Sequence, residues 1–567
     1  MAPGSNKAKV KSGCRTCKTR RVKCDEGWPV CFRCLSTGRV CEGYGIWGGG
    51  DSHCGRRPAG PAGPDSSKCL KVFYAPTLIK SGNKEESRQL EWFTYRTAFK
   101  LPGVFRFPFW DMLVFQAASS EPAVLHAVLT LSSAHRWESL SAQASTTKDA
   151  PDEQEQFTLQ HYSKAITHLH PHFSARNNAS IRVALITCLI FVMAEFLRGH
   201  YKSGITHLQN GLKLLNEYRA RSRAIDSYSL FLEPCCNSVD AWIIQAFIRL
   251  DVQAKFLGYG SQYLNIVLED CMLETPAPEL TFQSINQARQ LLDRLFSQIF
   301  YLNHESRRLL QRQDQVHPGN FLTRQRCIKD RLVAWYQTFK ASKGGLVTKE
   351  ATPTTVAYTI LRIYYLVAEI MADTCLWPPD ELRYDAHTQT FATIMEQLKY
   401  LRYLAGSPTL SKVMHFPDMS GSVADLGALP GLYYVAIKCR AHWIRHDALE
   451  FFDTVVHKEG IWNGPLTACI AREVVKIEEG DFYNRLSTES EDSHRSTPEE
   501  AGTVEKILPK SQRLQDIQVE LPEDYAGTAV LRCKRRLDDC NWEAITREFV
   551  YDIQTNRWVG KDGRRQR

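Results

Sequence analysis

Six cysteines near the beginning of the chain repeat one spacing twice, and this repeat constrains the fold more than any other feature. They read C-x2-C-x6-C-x6-C-x2-C-x6-C. A C-x2-C step lets both thiolates reach one metal ion, and zinc(II) prefers four soft ligands in a tetrahedron. Six cysteines cannot form two separate four-ligand sites, so two ions that share two bridging thiolates would complete the ligand count. The six are Cys14, Cys17, Cys24, Cys31, Cys34 and Cys41.

The first ten residues, MAPGSNKAKV, favour a reducing compartment for these cysteines. They are polar and basic, and they contain no apolar segment of the kind that begins a secretion signal. Thiols persist in a reducing compartment. We therefore expect the cysteines to bind metal and not to form disulfides.

Positive charge is concentrated around the same cysteines. Residues 1–45 carry ten Lys or Arg side chains and three acidic ones, a balance of +7, whereas the whole chain of 567 residues carries +9. Part of this charge can offset the metal centre, because two dications and six thiolates sum to −2. The segment KTRRVK, residues 18–23, has four basic side chains in six positions. Such a run is typical of a surface that contacts phosphates and reads guanine.

Three interpretations of this region compete. A module of about forty residues cannot fold without a staple, so the zinc could simply stabilise an adaptor that binds other proteins. The basic run between the second and third cysteines favours DNA binding over that interpretation. An enzyme fused to a zinc module is the third interpretation, but the sequence lacks G-x-x-x-x-G-K-[ST], G-x-S-x-G and H-E-x-x-H. We therefore expect that the chain is not an enzyme.

Composition divides the chain into a small module, a tether and a large helical region. The stretch GGGDSHCGRRPAGPAGPDSS is rich in glycine and proline and predicts a flexible linker. Beyond it, apolar residues recur at helical spacing and strand-like alternation is scarce. The predicted fold class is all-α, with a zinc-stapled N-terminal module. The predicted boundaries are 1–9 basic tail, 10–45 zinc module, 46–84 linker, 85–555 all-α region with a disordered loop at about 485–512, and 556–567 basic tail.

Two apolar segments of the helical region bear on membranes and on pairing. The longest apolar run, Val183–Ala194, has twelve residues, fewer than the roughly 20 needed to span a bilayer, and it predicts a buried helix and no membrane contact. The stripe from Tyr201 to Leu215 follows heptad spacing over about two repeats, whereas a coiled coil needs roughly three to four. It is therefore interpreted as a core face.

Residues 10–45 resemble the fungal-type binuclear zinc cluster of transcription regulators. The resemblance rests on the complete match of the six-cysteine spacing. It implies that one zinc ion binds Cys14, Cys17, Cys24 and Cys31, that the second binds Cys14, Cys31, Cys34 and Cys41, and that Cys14 and Cys31 bridge the two ions. It also implies that a short helix after the first cysteine pair enters the major groove over a CGG triplet.

The same resemblance implies which side chains contact double-stranded DNA. Arg21 stands where the family places its main base reader, most often lysine, and a guanidinium can bind O6 and N7 of guanine through two hydrogen bonds. Arg20 lies beside it. Lys18 and Lys23 match positions that contact phosphate. We expect DNA binding through Lys18, Arg20, Arg21 and Lys23.

The remainder of the chain is similar to the helical regulatory region that follows many such clusters. The similarity is carried by segments such as residues 107–137 and VALITCLIFVMAEFLRGHYKSGITHLQNGLKLL. It implies a nuclear, sequence-specific regulator of RNA polymerase II genes, with the transcription machinery or co-regulators as partners. The linker lacks the coiled-coil repeat that pairs many family members. Either one chain then binds a single half-site as a monomer, or two chains pair through the helical region. We favour a homodimer through the helical region, because one triplet discriminates too little among the competing sites of a genome.

Four histidines, His161, His168, His170 and His172, lie close together in the sequence. Their spacing could suggest a second metal site. Pro171 interrupts the helical pattern between them, so a shared helical face is not assured. We interpret them as solvated or hydrogen-bonded side chains.

Overall fold

The computed structural model describes residues 13–25, 31–37, 39, 83–141, 152–175, 177–225, 239–259, 281–312, 318–347, 352–377, 380–406, 422–483, 507–524, 527–538, 541–552, 555 and 557–561. Over these residues the chain is mostly helical, as predicted. The α-helices of five or more residues are α1 Arg15–Thr19, α2 Phe32–Ser36, α3 Lys84–Trp92, α4 Val114–Ser120, α5 Pro122–Ser141, α6 Asp152–Ala175, α7 Asn178–Arg198, α8 Tyr201–Ile225, α9 Val239–Phe256, α10 Ile285–Arg312, α11 Pro318–Ala341, α12 Pro353–Thr374, α13 Thr388–Ala405, α14 Leu429–Lys438, α15 His442–Phe452 and α16 Gly464–Glu479.

Two cores are present among the described residues. The cysteines of the N-terminal module cluster with Val22, and a second cluster extends from Leu90 to Trp558. The first core consists almost entirely of sulfur. A module with so little apolar surface needs a metal ion to fold.

Helix α7 is the central helix of the first half of the large core. Nearly all its side chains between Ile181 and Leu197 are buried, because the segment is apolar on every face. The Asn177 side chain accepts a hydrogen bond from the N–H of Ser180 at 2.8 Å and caps the helix, and Gly199 ends it at φ 81°. This confirms the prediction of a buried helix. By length and composition α7 and α12 could each cross a membrane, but most of each helix is buried within the protein.

The stripe on α8 packs into the core, as predicted. Its apolar side chains are 7% exposed or less. The helix approaches its neighbours closely at Gly211, where a Cβ atom would lie 2.5 Å from the ring of Phe247. The buried side chains are Tyr201, Ile205, Leu208, Leu212 and Leu215.

Aromatic stacking joins α11 and α12. The rings of Tyr336 and Tyr365 stack at 4.1 Å, and those of Phe339 and Tyr358 also stack at 4.1 Å. The side chain of Thr352 caps α12 in a reciprocal capping box with Thr355. These contacts extend the core into the second half of the helical region.

Residues 514–560 form a four-stranded antiparallel sheet that the all-α prediction for 85–555 did not include. The strands β3 Leu514–Glu520, β4 Thr528–Arg536, β5 Trp542–Asp552 and β6 Arg557–Gly560 are hydrogen-bonded in that order. One face carries apolar side chains such as Ala529, Leu531 and Cys533, which alternate with half-buried or exposed residues. The alternation is short and weakly apolar, so sequence inspection missed it. The two-residue strands β1 Lys458–Glu459 and β2 Trp462–Asn463 pair as a hairpin that precedes α16.

Two predicted boundaries also differ from the structure. Residues 507–512, at the end of the predicted loop, are ordered because Leu508 is buried and its carbonyl accepts hydrogen bonds from Arg513 at 2.8 and 3.0 Å. The predicted C-terminal tail contains strand β6, whose Trp558 packs into the core. The rest of the predicted loop, residues 485–506, lies outside the described residues, as does the predicted linker up to residue 82.

A group of buried ion pairs connects the sheet to the helices. Glu478, fully buried in α16, contacts Arg440 at 2.8 Å and also contacts Arg445. The N–H of Leu514, the first residue of β3, donates to Glu478 at 2.7 Å. Burial alone would raise the pKa of Glu478, but the two guanidinium groups outweigh it and hold that pKa below its usual range. Helix α16 and strand β3 therefore share one ionised carboxylate.

Candidate metal centre and nucleic-acid interface

The two short helices of the N-terminal module begin at cysteines in the same way. Cys14 is the N-cap of α1, and its sulfur accepts a hydrogen bond from the N–H of Cys17 at 3.3 Å. Cys31 is the N-cap of α2 and accepts from the N–H of Cys34, also at 3.3 Å. The duplicated spacing thus folds into two matching half-units. Hydrogen bonds of this kind stabilise negative charge on the accepting sulfur.

Four sulfurs from the two half-units come together at the spacing that a metal requires. The Sγ atoms of Cys14 and Cys31 lie 3.6 Å apart, and Cys14 lies 3.7 Å from Cys34. Cys17 lies 3.7 Å from Cys31 and 3.9 Å from Cys34. Thiolates bound tetrahedrally to zinc at about 2.3 Å are roughly 3.8 Å from one another. The sulfurs are therefore already at ligand spacing.

Cys24 completes a four-ligand group with Cys14 and Cys17 of its own half-unit and Cys31 of the second. The sulfurs of Cys14, Cys17, Cys24 and Cys31 all lie within 4.8 Å of one another. These four match the ligand set that the resemblance implied for the first ion. Cys41, predicted to bind the second ion, lies outside the described residues.

The chemistry of the cysteine group fits a bound cation. Among the described cysteines all are free thiols, and the five in this module are buried. Burial raises the pKa of the Cys14 and Cys17 thiols. Burial thus favours the neutral thiols, but a bound dication reverses this preference because a coordinating thiol is deprotonated.

Arg21 occupies an unusual backbone conformation directly after α1. Its φ is 56°, in the left-handed region, and its N–H donates to the carbonyl of Lys18 while the N–H of Val22 donates to that of Cys17. This hydrogen-bond pattern ends many helices, and glycine is the usual residue at the left-handed position. The corresponding position of the second half-unit in the sequence is Gly38. The first half-unit therefore has an exposed arginine where the sequence of the second half-unit has a glycine.

The other residues predicted to contact DNA differ in how far they are exposed to solvent. Lys18 and Lys23 are exposed. Arg20 is half-buried, and its guanidinium donates to the Thr37 hydroxyl of the second half-unit at 3.4 Å. Arg20 therefore links the two halves, whereas Lys18, Arg21 and Lys23 extend into solvent.

Asp25 is a structural residue of the module that sequence analysis missed. Its carboxylate accepts hydrogen bonds from the N–H groups of Phe32 and Arg33 at 2.7 and 2.8 Å. It therefore satisfies two N–H groups in the first turn of α2. An acidic residue just after the third cysteine was the available signal, but nothing in the sequence indicates which helix it would reach.

Comparison with known protein families decides what kind of chain this is. Residues 12–46 match the fungal Zn(2)-Cys(6) binuclear cluster domain, and residues 99–418, more than half of the chain, match the fungal specific transcription factor domain. The chain belongs to the fungal Zn(2)-Cys(6) transcription regulators. As a member of this family it has a binuclear zinc cluster, which holds two zinc ions on the N-terminal cysteines.

Individual relatives of the chain are also named as transcription regulators. It is 22% identical, over 88% of its length and 92% of the relative, to the aspercryptin biosynthesis cluster-specific transcription regulator atnN of Emericella nidulans. It is 28% identical to the transcription regulator lscL of Purpureocillium lilacinum over 41% of its length and 55% of the relative. The transcriptional regulatory protein moc3 of Schizosaccharomyces pombe is 52% identical over 7% of the chain and 8% of its own length. No solved structure matches the chain.

The four histidines of α6 do not converge on a common point in this regulator. His161 is buried and its Nδ1 lies 3.0 Å from that of His126, whereas the ring of the exposed His168 stacks on His126. His172 contacts Ser180, and His170 lies edge-on to Phe173. The interpretation of these residues as hydrogen-bonded or solvated side chains agrees with these contacts.

Proposed function

We propose that this chain is a nuclear, sequence-specific DNA-binding regulator of RNA polymerase II genes that reads CGG-type triplets through its zinc cluster. The observation that carries the proposal is Arg21, an exposed guanidinium held at a left-handed position after α1. Backbone strain of this kind persists where function requires it. The relative atnN regulates a biosynthesis cluster, which supports a pathway-specific regulatory role here.

We assign the bridging positions of the cluster to Cys14 and Cys31. Each is the first cysteine of its half-unit, each accepts a backbone N–H, and their sulfurs lie 3.6 Å apart. In this assignment Cys17 and Cys24 complete the coordination of the first ion, and Cys34 and Cys41 complete that of the second. Zinc supplies rigidity here and no reaction chemistry: it fixes α1 and so fixes the direction of the side chains at its end.

The basic residues then divide by what they can reach. Arg21 has a planar fork of donors that matches O6 and N7 of a guanine. Lys18 and Lys23 are exposed point charges suited to phosphate oxygens. Arg20, through its hydrogen bond with Thr37, positions the two half-units and adds positive charge beside the DNA.

Replacing Arg21 by alanine tests the DNA-reading role. We expect Arg21→Ala to cost about 1–3 kcal/mol of binding free energy on the preferred site and to relax the preference for guanine, because the bidentate contact is lost. The measurement is a fluorescence-anisotropy titration of the full chain against its selected site and against single-base variants.

Lys23→Ala is the matched control, since Lys23 is also exposed and lies two residues away. It should weaken binding to all sequences alike and reduce the salt slope by about one. Arg21→Gly is a second control: it should lose the same discrimination, but it should fold more stably than Arg21→Ala by roughly 1 kcal/mol, because only glycine adopts the left-handed conformation without strain. Equal effects of Arg21→Ala and Lys23→Ala on specific and random DNA would support a zinc-stabilised adaptor instead.

We also propose that two chains bind DNA together through the helical region, with the transcription machinery or co-regulators as further partners. One triplet supplies too little discrimination against the competing sites of a genome. The buried α8 stripe cannot supply the contact, so the pairing surface is another face of the helical region. The family assignment supports a regulatory and not a catalytic role.

Light scattering of the full chain tests the pairing. We expect the mass of a protein dimer at micromolar concentration. On a two-site DNA duplex we expect two protein chains for each duplex. A chain that stays monomeric both free and on two-site DNA would contradict it.

A further inference from the structure

Two histidines and a glutamate converge where α15 packs against α16, far along the chain from the cysteine module. His442 and His446 are four residues apart in α15, so they lie on the same face of that helix. Glu479 is the last residue of α16. Helices α15 and α16 contact each other along this face. The three side chains thus come from two packed helices.

The donor atoms are spaced as metal ligands. Nδ1 of His442 lies 3.1 Å from Oε2 of Glu479, and Nε2 of His446 lies 3.6 Å from the same oxygen. One donor atom from each side chain lies within 4.8 Å of the other two. Tetrahedral ligands bound at about 2.0–2.1 Å are roughly 3.3 Å apart. An ion could bind among these atoms with little movement of the side chains.

Neighbouring side chains hold this arrangement in place. The other oxygen of Glu479 is 3.3 Å from the guanidinium of the fully buried Arg445, which fixes the carboxylate. The His442 ring packs 4.2 Å from that of Tyr483, whose hydroxyl donates to the Arg440 carbonyl at 3.3 Å. Supports of this kind orient ligands in metal sites.

The site is open to solvent on its histidine side. The side chains of His442 and His446 are 38% and 52% exposed, whereas that of Glu479 is 10% exposed. Exposure gives an ion a route of entry and leaves coordination positions for water. It also keeps both imidazoles free of the strong desolvation that would oppose a bound dication.

We propose that His442, His446 and Glu479 form a binding site for a divalent transition-metal ion, with zinc as its principal occupant. Two imidazoles and one carboxylate suit Zn²⁺, whereas Mg²⁺ and Ca²⁺ require oxygen ligands throughout. The ion is additional to the two of the cluster and is held without sulfur. It joins α15 to α16 and so makes the stability of this part of the helical region depend on zinc.

Equilibrium dialysis of the full chain against micromolar free zinc, followed by metal analysis, tests the proposal. We expect three zinc ions per chain, two in the cluster and one here, and only two in the double variant H442A/H446A. Added zinc should raise the thermal midpoint of the unmodified chain and not that of the variant. The control is H168A/H170A, which removes two exposed histidines of α6 and should retain three ions.

Cobalt(II) provides a second readout that separates this site from the cluster. A nitrogen and oxygen site gives weak visible bands without the sulfur charge-transfer bands of thiolate ligands. We expect those weak bands to disappear in H446A, a single change at the most exposed ligand. Two zinc ions in the unmodified chain, or a third ion retained with unchanged affinity in both histidine variants, would overturn the proposal.

Discussion

Replacing Cys14 by serine in the full chain is expected to remove both zinc ions of the cluster and to unfold the module around them. In the proposed assignment Cys14 binds both ions. Its sulfur is as far from two sulfurs of the second half-unit as two ligands of one zinc ion are from each other. Structural zinc contributes on the order of 10–16 kcal/mol to folding of small modules, and in the described part of this module only Val22 packs against the cysteines. Zinc content should fall by two ions per chain, and specific DNA binding should be lost.

Cys327→Ser is the control for this experiment. Cys327 is a half-buried free thiol in α11, outside the cysteine module. Its replacement should leave zinc content and DNA binding unchanged. The thermal midpoint of the helical region should be the same in both variants, because the module and the helices have separate cores. Loss of a single zinc ion from Cys14→Ser would show that Cys14 does not bridge.

The cysteine spacing was sufficient to predict the zinc cluster, because the metal ligands are close to one another in the sequence. Each C-x2-C pair spans a single short turn, so the residues that bind the metal are close in sequence and in space. The backbone at Arg21 could not be predicted in the same way. Comparison of the two half-units shows Arg21 aligned with Gly38, which marks the position as unusual, but the left-handed conformation emerges only once α1 ends there.

The long helices were predictable because apolar residues recur densely and at helical spacing along them. The C-terminal sheet was not, because β4 buries residues as small as Ala529 between exposed or half-exposed neighbours. Its stability comes from contacts distant in sequence, such as the hydrogen bond between Leu514 and Glu478. The His442–His446 spacing was visible in the sequence, but the position of Glu479 beside the two histidines depends on how α15 and α16 pack.

The buried ion pairs around Glu478 are where a single substitution should most destabilise the helical region. Arg440 and Arg445 are fully buried, and both contact this carboxylate. Glu381 also neutralises Arg440 and Glu479 also contacts Arg445, but neither of them reaches Leu514. Loss of Glu478 would therefore leave excess positive charge in the core and an unpaired backbone donor at the start of β3.

We expect Glu478→Ala to lower the free energy of unfolding by about 3–5 kcal/mol, the range for one partner removed from a buried ion pair. Urea unfolding of the full chain, followed by tryptophan fluorescence, measures it. Glu473→Ala is the matched control in the same helix: its partner Arg547 is 44% exposed, so the cost should stay below about 1 kcal/mol.

Because the pKa of Glu478 is lowered in the folded chain, its stabilisation should be complete above about pH 4.5 and be lost as the pH falls further. The difference in stability between the unmodified chain and Glu478→Ala should therefore shrink in acid, whereas a pH-independent difference would assign the loss to packing and not to charge.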